Sequence, residues 1–174
     1  MMRGFHAPAV DMKRFEDDLV ELIPSLRRYA SSLTRSRADA EDLLQDAVET
    51  ALARSRSWRG GNLRGWAAAI MTNLYRNQWR RRKTFEDVAR SQAIVGELAT
   101  PDGFERQRLI AALDRLDADQ RAVLMLVVVE GFSYAEVAAM LEIPSGTVMS
   151  RLSRARRRLA RELAGDNVIE LRRP

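Results

Sequence analysis

The chain has 174 residues, of which 46% are hydrophobic and 30% charged, and its formal net charge is +5. These values exclude a disordered chain and are typical of one or two small globular domains. The longest apolar stretch, residues 122–129, is far shorter than the roughly 20 apolar residues that a membrane span needs. With no cysteine and a single histidine, His6, the usual zinc sites and thiol catalysis are excluded, and we expect no metal and no cofactor.

Apolar residues recur at helical spacing along most of the chain and strand patterns are nearly absent, so we predict an all-α fold. The first amphipathic helix covers residues 15–33, and Pro24 is expected to bend or split it. A second helix is expected to start at Ser36 and a third near Asn62, after a Gly-Gly loop. Within the third helix, the spacing of Trp66 with its apolar neighbours predicts a core position.

Charge is distributed unevenly. One basic cluster lies at residues 76–83, and a second lies at 151–161, where six of eleven residues are arginine. Between them, residues 84–105 carry five acidic residues and one arginine. This segment is weakly periodic and contains proline and glycine, which predicts an acidic linker with a short helical piece at 88–98. The chain is therefore expected to consist of two small helical domains joined by this linker.

The C-terminal part has the pattern of a helix-turn-helix unit. A buried helix is predicted over residues 123–129, and a shorter helix over 134–141 starts at a capping box. After a tight turn, the last helix is expected to be capped by Ser145 or Thr147 and to run to about Leu163. Its outward arginines have the fork geometry that suits guanine edges and phosphates. A solvated charged face is the alternative, but the helix-turn-helix spacing favours binding of duplex DNA.

Two blocks of sequence resemble a known family. The run "LDADQRAVLMLVVVEGF" followed by "SYAEVAAMLEIPSGTVMSRLSRARRRL" closely resembles region 4 of bacterial sigma factors of the extracytoplasmic-function (ECF) class. The segments "ADAEDLLQDAVETALA" and "WRGGNLRGWAAAIMTNLYRNQWRRRK" resemble region 2 of the same class. The resemblance implies a sigma factor that binds core RNA polymerase and directs promoter-specific initiation. Region 4 would read the −35 element as duplex DNA, and region 2 would read the −10 element as melted single strand.

The resemblance also implies a division of the chain. It gives an N-terminal tail at 1–12, a region 2 domain at 13–84, the linker at 85–105, a region 4 domain at 106–164 and a C-terminal tail at 165–174. It implies an anti-sigma factor as a further partner. From the residues themselves, the lack of an apolar span, of a signal peptide pattern and of cysteine predicts no membrane insertion and a cytoplasmic location, and the lack of a phosphate loop and of a Cys/His pair predicts no enzymatic activity.

The resemblance implies three sets of site residues. The polymerase-binding set is Glu41, Asp42, Gln45, Asp46 and Glu49. The −10 set is Trp58, Arg59, Asn62, Asn73, Arg76, Asn77, Arg80 and Arg81. The −35 set is Ser145, Thr147, Met149, Ser150, Arg151, Ser153, Arg154 and Arg157. Asn73 and Asn77 can each donate to and accept from base edges, and Trp58 or Tyr75 is a candidate to stack on an unpaired base.

Two other functions are consistent with parts of the sequence. A sigma-like decoy that binds an anti-sigma factor would keep the helix faces but lose the residues that read DNA. A helix-turn-helix repressor would carry a ligand-binding N-terminal domain, without the basic, asparagine-bearing helix at residues 73–83. Met149 departs from the family pattern, because many relatives have a cation there, and this leaves the −35 base preference open.

Overall fold

A computed structural model describes residues 12–86 and 101–164. In these ranges the chain forms seven α-helices and one 3-10 turn, with no strand, so the predicted all-α fold class is confirmed. The helices are α1 (Met12–Leu33), α2 (Arg37–Ala53), α3 (Leu63–Glu86), α4 (Pro101–Asp114), α5 (Ala118–Val128), α6 (Tyr134–Leu141) and α7 (Ser145–Ala164), and the 3-10 turn is Ser55–Ser57. None of these helices combines the length and apolar character needed to cross a membrane. The helical piece predicted at 88–98 lies outside the described residues.

The contacts divide the chain into two compact units, Met1–Tyr75 and Arg76–Pro174. In the first unit, α1 runs without a break through Pro24, so the predicted split at this proline is wrong. A proline within a helix leaves the carbonyl four residues earlier without its backbone donor. Here that residue is Val20, which is 62% exposed, so water can serve the carbonyl and the helix continues.

The core of the first unit combines aromatic and aliphatic side chains from α1, α2 and α3. Phe15, Leu43 and Met71 are each at most 1% exposed. The buried hydroxyl of Tyr29 is 2.8 Å from Thr72 Oγ1, so α1 and α3 are joined by a hydrogen bond inside the core. Such a bond is needed because an unpaired buried hydroxyl is costly. Trp66 is half-buried, with its ring centroid 6.1 Å from that of Phe15, as its spacing predicts.

The core of the second unit lies where α5 packs on α6 and α7. Val123, Leu126, Val137 and Val148 are all fully buried. The prediction that residues 123–129 form a wholly buried helix is wrong at its end, because Val128 is 61% and Val129 36% exposed. The last turn of α5 presents these valines on the side that α6 and α7 do not cover.

Helix α4 begins at Pro101, inside the range that the sequence assigns to the linker. Proline is favoured in the first helical turn, because its fixed φ suits the helix and its missing N–H needs no partner there. Toward the other end of the helix, Ala112 is buried, as is Leu116 just beyond it, whereas Leu109 and Ile110 are more than two-fifths exposed.

Candidate nucleic-acid interface

Helix α2 separates a buried apolar face from an outward acidic face. It starts at Ser36, as predicted, because Ser36 Oγ accepts a hydrogen bond from the backbone N–H of Asp39 at 3.0 Å. The buried side is made of Ala40, Leu43, Leu44, Ala47 and Ala51. Of the predicted polymerase-binding residues, Glu41 is half-buried and the exposed ones are Asp42, Gln45, Asp46 and Glu49.

Two contacts organise this acidic face. Gln45 Nε2 donates to Glu49 Oε1 at 2.9 Å, which links successive turns of α2. Arg27 of α1 donates through Nε to Glu41 Oε1 at 3.0 Å, and the two side chains are 51% and 44% exposed. Ion pairs this exposed contribute little to the free energy of unfolding, because water screens them. The face therefore stays accessible and mainly acidic.

The loop before α3 has a glycine-dependent backbone. Gly60 and Gly61 adopt φ of +88° and +92°, a region that favours glycine because other residues clash through Cβ. The predicted base-reader Asn62 is exposed, but its Oδ1 accepts from the backbone N–H of Gly65 at 2.9 Å and so caps α3. Arg59 is exposed in the same loop.

The two aromatic candidates for base stacking differ in exposure. Tyr75 is only 7% exposed and belongs to the core, so the suggestion that it stacks on a base is wrong. Trp58 is half-buried, and its ring centroid lies 5.5 Å from that of Phe15. Trp58 therefore closes the core on one side and reaches the surface on the other.

On α3, the outward face carries most of the predicted −10 residues. Asn73 and Asn77 are exposed one turn apart, followed by Arg80 and Arg81, which are also exposed. Arg76 differs, because only 18% of its side chain is exposed and its guanidinium forms an ion pair with Asp119, a residue of the same contact unit. The face therefore combines amide groups, which can pair with base edges, with cations suited to phosphates.

The helix-turn-helix is closed by caps at three points. Ser133 and Glu136 form the predicted capping box of α6, with the Ser133 N–H donating to Glu136 Oε2 at 2.8 Å. Glu142 takes the left-handed conformation that ends α6, at φ 52°. The prediction that Ser145 or Thr147 caps α7 is wrong. Ser145 is already helical, and the carbonyl of Pro144 accepts from the Thr147 N–H at 2.8 Å, so the cap lies one residue earlier.

Helix α7 buries Val148, Leu152 and Ala155 and turns its basic side outward. The exposed members of the predicted −35 set are Ser145, Met149, Ser153, Arg154 and Arg157, and the half-buried ones are Thr147, Ser150 and Arg151. Met149 is 56% exposed, so the position at which many relatives carry a cation is accessible here and is occupied by an apolar side chain. An open groove of about 570 Å³ is lined by Gln120, Arg154, Arg157, Arg158, Ala160 and Arg161.

Arg151 is the exception on α7. Its Nη2 donates to Asp119 Oδ2 at 2.9 Å, and only 20% of its side chain is exposed. Sequence reasoning missed Asp119 and the buried pair in which Arg121 Nη1 donates to Asp114 Oδ1 at 2.7 Å. An acidic residue in the first turn of α5 is an ordinary helix-start signal. Nothing in the sequence shows that its partner lies 32 residues away.

Comparisons with known proteins match both the N-terminal and the C-terminal part of the chain. A family model for Sigma-70 region 2 matches residues 19–85, and one for Sigma-70, region 4 matches residues 106–159. The chain is 39% identical over 157 residues to the ECF RNA polymerase sigma factor EcfG of Rhodopseudomonas palustris, covering 88% of this chain and 86% of that one. The chain belongs to the ECF class of sigma-70 factors.

Two further relatives support the assignment. The ECF RNA polymerase sigma factor SigM of Mycobacterium tuberculosis is 36% identical over 155 residues, which cover 85% of this chain and 76% of SigM. Among solved structures, the sigma factor RpoE of Bartonella quintana, crystallised with the anti-sigma factor NepR, superposes with a TM-score of 0.71 at 35% identity. That superposition covers 88% of this chain and 99% of RpoE.

The predicted function is thereby confirmed. The protein is an ECF sigma factor that directs core RNA polymerase to promoters, and it carries sigma-70 regions 2 and 4. The alternative of a repressor with a ligand-binding N-terminal domain is excluded, because region 2 occupies that part of the chain.

Proposed function

We propose that this ECF sigma factor binds core polymerase through the acidic face of α2 and binds promoter DNA through the basic faces of α3 and α7. The observation that carries the proposal is the opposite charge on the outward faces of α2 and α7. An acidic face repels DNA and suits a basic protein surface, whereas an arginine-rich face suits phosphates and guanine edges.

The proposed polymerase contact is centred on Asp42 and Asp46, with Gln45 and Glu49 one turn away. All four are exposed, and the hydrogen bond between Gln45 and Glu49 reduces the entropy that two long side chains lose on docking. Glu41 lies at the edge of this face, where the partner would have to compete with Arg27.

For the −10 element, the proposed base-reading groups are the amides of Asn73 and Asn77. Arg59, Arg80 and Arg81 would hold the backbone of the single strand through charge. Trp58 would contribute its free edge, while Arg76 and Asn62 already have partners within the protein. Capture of unpaired bases favours the melted state, because a ligand that binds one state shifts the equilibrium toward it.

For the −35 element, the proposed reading face of α7 comprises Ser145, Thr147, Met149, Ser150, Ser153, Arg154 and Arg157. Ser150 Oγ donates to the carbonyl of Thr147 at 3.0 Å and accepts from Arg154 Nη2 at 3.5 Å, which leaves one oxygen lone pair as an acceptor for a base amino group. Arg154 lies one turn along the same face and is exposed, so it can reach a guanine edge. Arg151 is not included, because its side chain is turned toward Asp119.

We keep the predicted domains, 13–84 for polymerase and −10 binding and 106–164 for −35 binding, with tails at 1–12 and 165–174. The predicted linker at 85–105 is shortened at its C-terminal end, because α4 begins at Pro101. Because its polymerase partner acts on the chromosome, we place the protein in the cytoplasm. The polymerase, and not the sigma factor, would catalyse RNA synthesis. An anti-sigma factor is a proposed second partner, by analogy with the relative crystallised with NepR.

Run-off transcription with core polymerase tests the proposal. Genomic fragments selected by the reconstituted holoenzyme serve as templates, and reactions are run with and without the protein. We expect discrete, promoter-dependent products only when the protein is present. If the protein binds core polymerase but yields no product on any template, the decoy function replaces the proposed one.

A further inference from the structure

The arginines of α7 fall into two groups by exposure. The exposed ones are Arg154, Arg156, Arg157 and Arg161. Arg151 and Arg158 are half-buried, and Arg151 lies on the flank of the helix that faces α5. The charge of Arg151 is matched within the protein by Asp119, at 2.9 Å between Nη2 and Oδ2. Its Nη1 is buried and has no hydrogen-bond partner among the described residues. Arg151 is therefore an arginine of this helix whose side chain is directed toward a carboxylate of the protein and away from solvent.

Asp119 is well placed to hold this cation. It lies in the first turn of α5, where the helix dipole favours negative charge, and it is 35% exposed at the side-chain level. Its other carboxylate oxygen forms the ion pair with Arg76 in the same contact unit. Two cations that would otherwise attract phosphate thus share one carboxylate.

We propose that Asp119 holds Arg151 away from the DNA backbone and thereby limits sequence-independent binding of the region 4 helix to duplex DNA. Each phosphate that a cation contacts adds salt-dependent affinity that carries no sequence information. With Arg151 held by Asp119, binding depends more on Arg154 and its neighbours on the reading face. The inference rests on the proposed role of α7 in duplex binding.

The test is the salt dependence of binding to a fixed 30-base-pair duplex of arbitrary sequence, measured with the full chain by fluorescence anisotropy. We expect Asp119→Asn, which keeps the shape of the side chain, to steepen the slope of log K against log salt by about 0.9, as for one added phosphate contact. The affinity ratio of variant to wild type would then grow about eightfold for a tenfold drop in salt.

Two further variants make the cause specific. Arg151→Gln alone is expected to leave the wild-type slope unchanged, because Arg151 makes no phosphate contact while it is paired. In the double variant Asp119→Asn/Arg151→Gln the added slope should disappear, which separates Arg151 from Arg76. The matched control, Glu142→Gln, removes one exposed carboxylate from the helix-turn-helix turn and should not steepen the slope.

The proposal is overturned if Arg151→Gln alone makes the slope of log K against log salt shallower by about 0.9, since Arg151 would then contact phosphate in the wild type. It is also overturned if Asp119→Asn leaves the slope unchanged, if the double variant stays steep, or if Glu142→Gln has the same effect. If the wild-type protein failed to support transcription with core polymerase, the proposed function would be contradicted instead. The two outcomes are separate, because the anisotropy assay needs neither polymerase nor promoter.

Discussion

The two units of this sigma factor place charge differently. In the first, the polar link described inside the core is neutral, between Tyr29 and Thr72, and the ion pair between Arg27 and Glu41 lies on the surface. The described core of this unit therefore depends on apolar packing and on neutral hydrogen bonds, which include that of Thr72 Oγ1 to the carbonyl of Ala68.

In the second unit, charge enters the packing itself. Arg121 is 6% exposed at the side chain and donates to Asp114, and Arg151 is held against Asp119. A short chain segment with many arginines cannot turn all of them to solvent, and those facing inward need a carboxylate. Among the described pairs, those of the second unit thus lie within its packing and that of the first unit lies on its surface. Under the role proposed for Asp119, the inner pairing also limits which arginines of α7 are presented to DNA.

The largest effect is expected from the buried pair. Asp114→Ala removes an acceptor of the Arg121 guanidinium and should lower the free energy of unfolding by about 3–5 kcal/mol, because this buried cation loses a carboxylate. Urea denaturation followed by circular dichroism measures this. A loss below about 1 kcal/mol would mean that the pair is solvated like a surface pair, and the contrast between the units would fail.

The next effect concerns polymerase. Asp42→Lys combined with Asp46→Lys should weaken core binding about 100-fold, or about 3 kcal/mol, because like charges would face each other across the interface. Titration of labelled core polymerase measures the affinity. Glu16→Lys combined with Glu21→Lys makes the same charge change on exposed positions of α1 and should leave the affinity near the wild-type value.

A smaller effect is expected at the DNA-reading face. Arg154→Ala should cost about 1–3 kcal/mol in binding to a −35 duplex selected with the holoenzyme, as for the loss of a bidentate base contact. Arg156→Ala removes an equal charge from an exposed position on the edge of the same helix and should cost less. Equal losses for the two variants would show that only charge matters.

The smallest effect belongs to the surface pair of region 2. Glu41→Gln should change the free energy of unfolding by less than about 1 kcal/mol, because Arg27 and Glu41 are both about half exposed. The same denaturation experiment as for Asp114→Ala applies. A change as large as that of Asp114→Ala would remove the distinction between the two units.

Local signals explain what the sequence could predict. The starts of α2 and α6 follow from Ser36 and Ser133, whose side chains accept from backbone N–H groups three residues on. The all-α fold follows from apolar spacing, which is likewise a short-range property. The outward faces of α2 and α7 follow from the same spacing, because the buried residues fix the opposite side.

Two features could not be predicted because tertiary packing decides them. Helix α5 is apolar on nearly all sides, so no pattern indicates that Val128 is the residue left exposed. The pairing of Asp119 with Arg151 joins residues 32 apart in sequence, and the local sequence around each of them predicts only an exposed charged side chain. A charge count therefore overestimates how many arginines of α7 are available to DNA.

The most direct test compares two variants in two binding assays with the full chain: affinity for core polymerase, and affinity for the selected −35 duplex. We predict that Asp42→Lys/Asp46→Lys weakens polymerase binding and leaves duplex binding unchanged, while Arg154→Ala weakens duplex binding and leaves polymerase binding unchanged. If either variant lost both activities while folded, the assignment of opposite-charge faces to different partners would be contradicted.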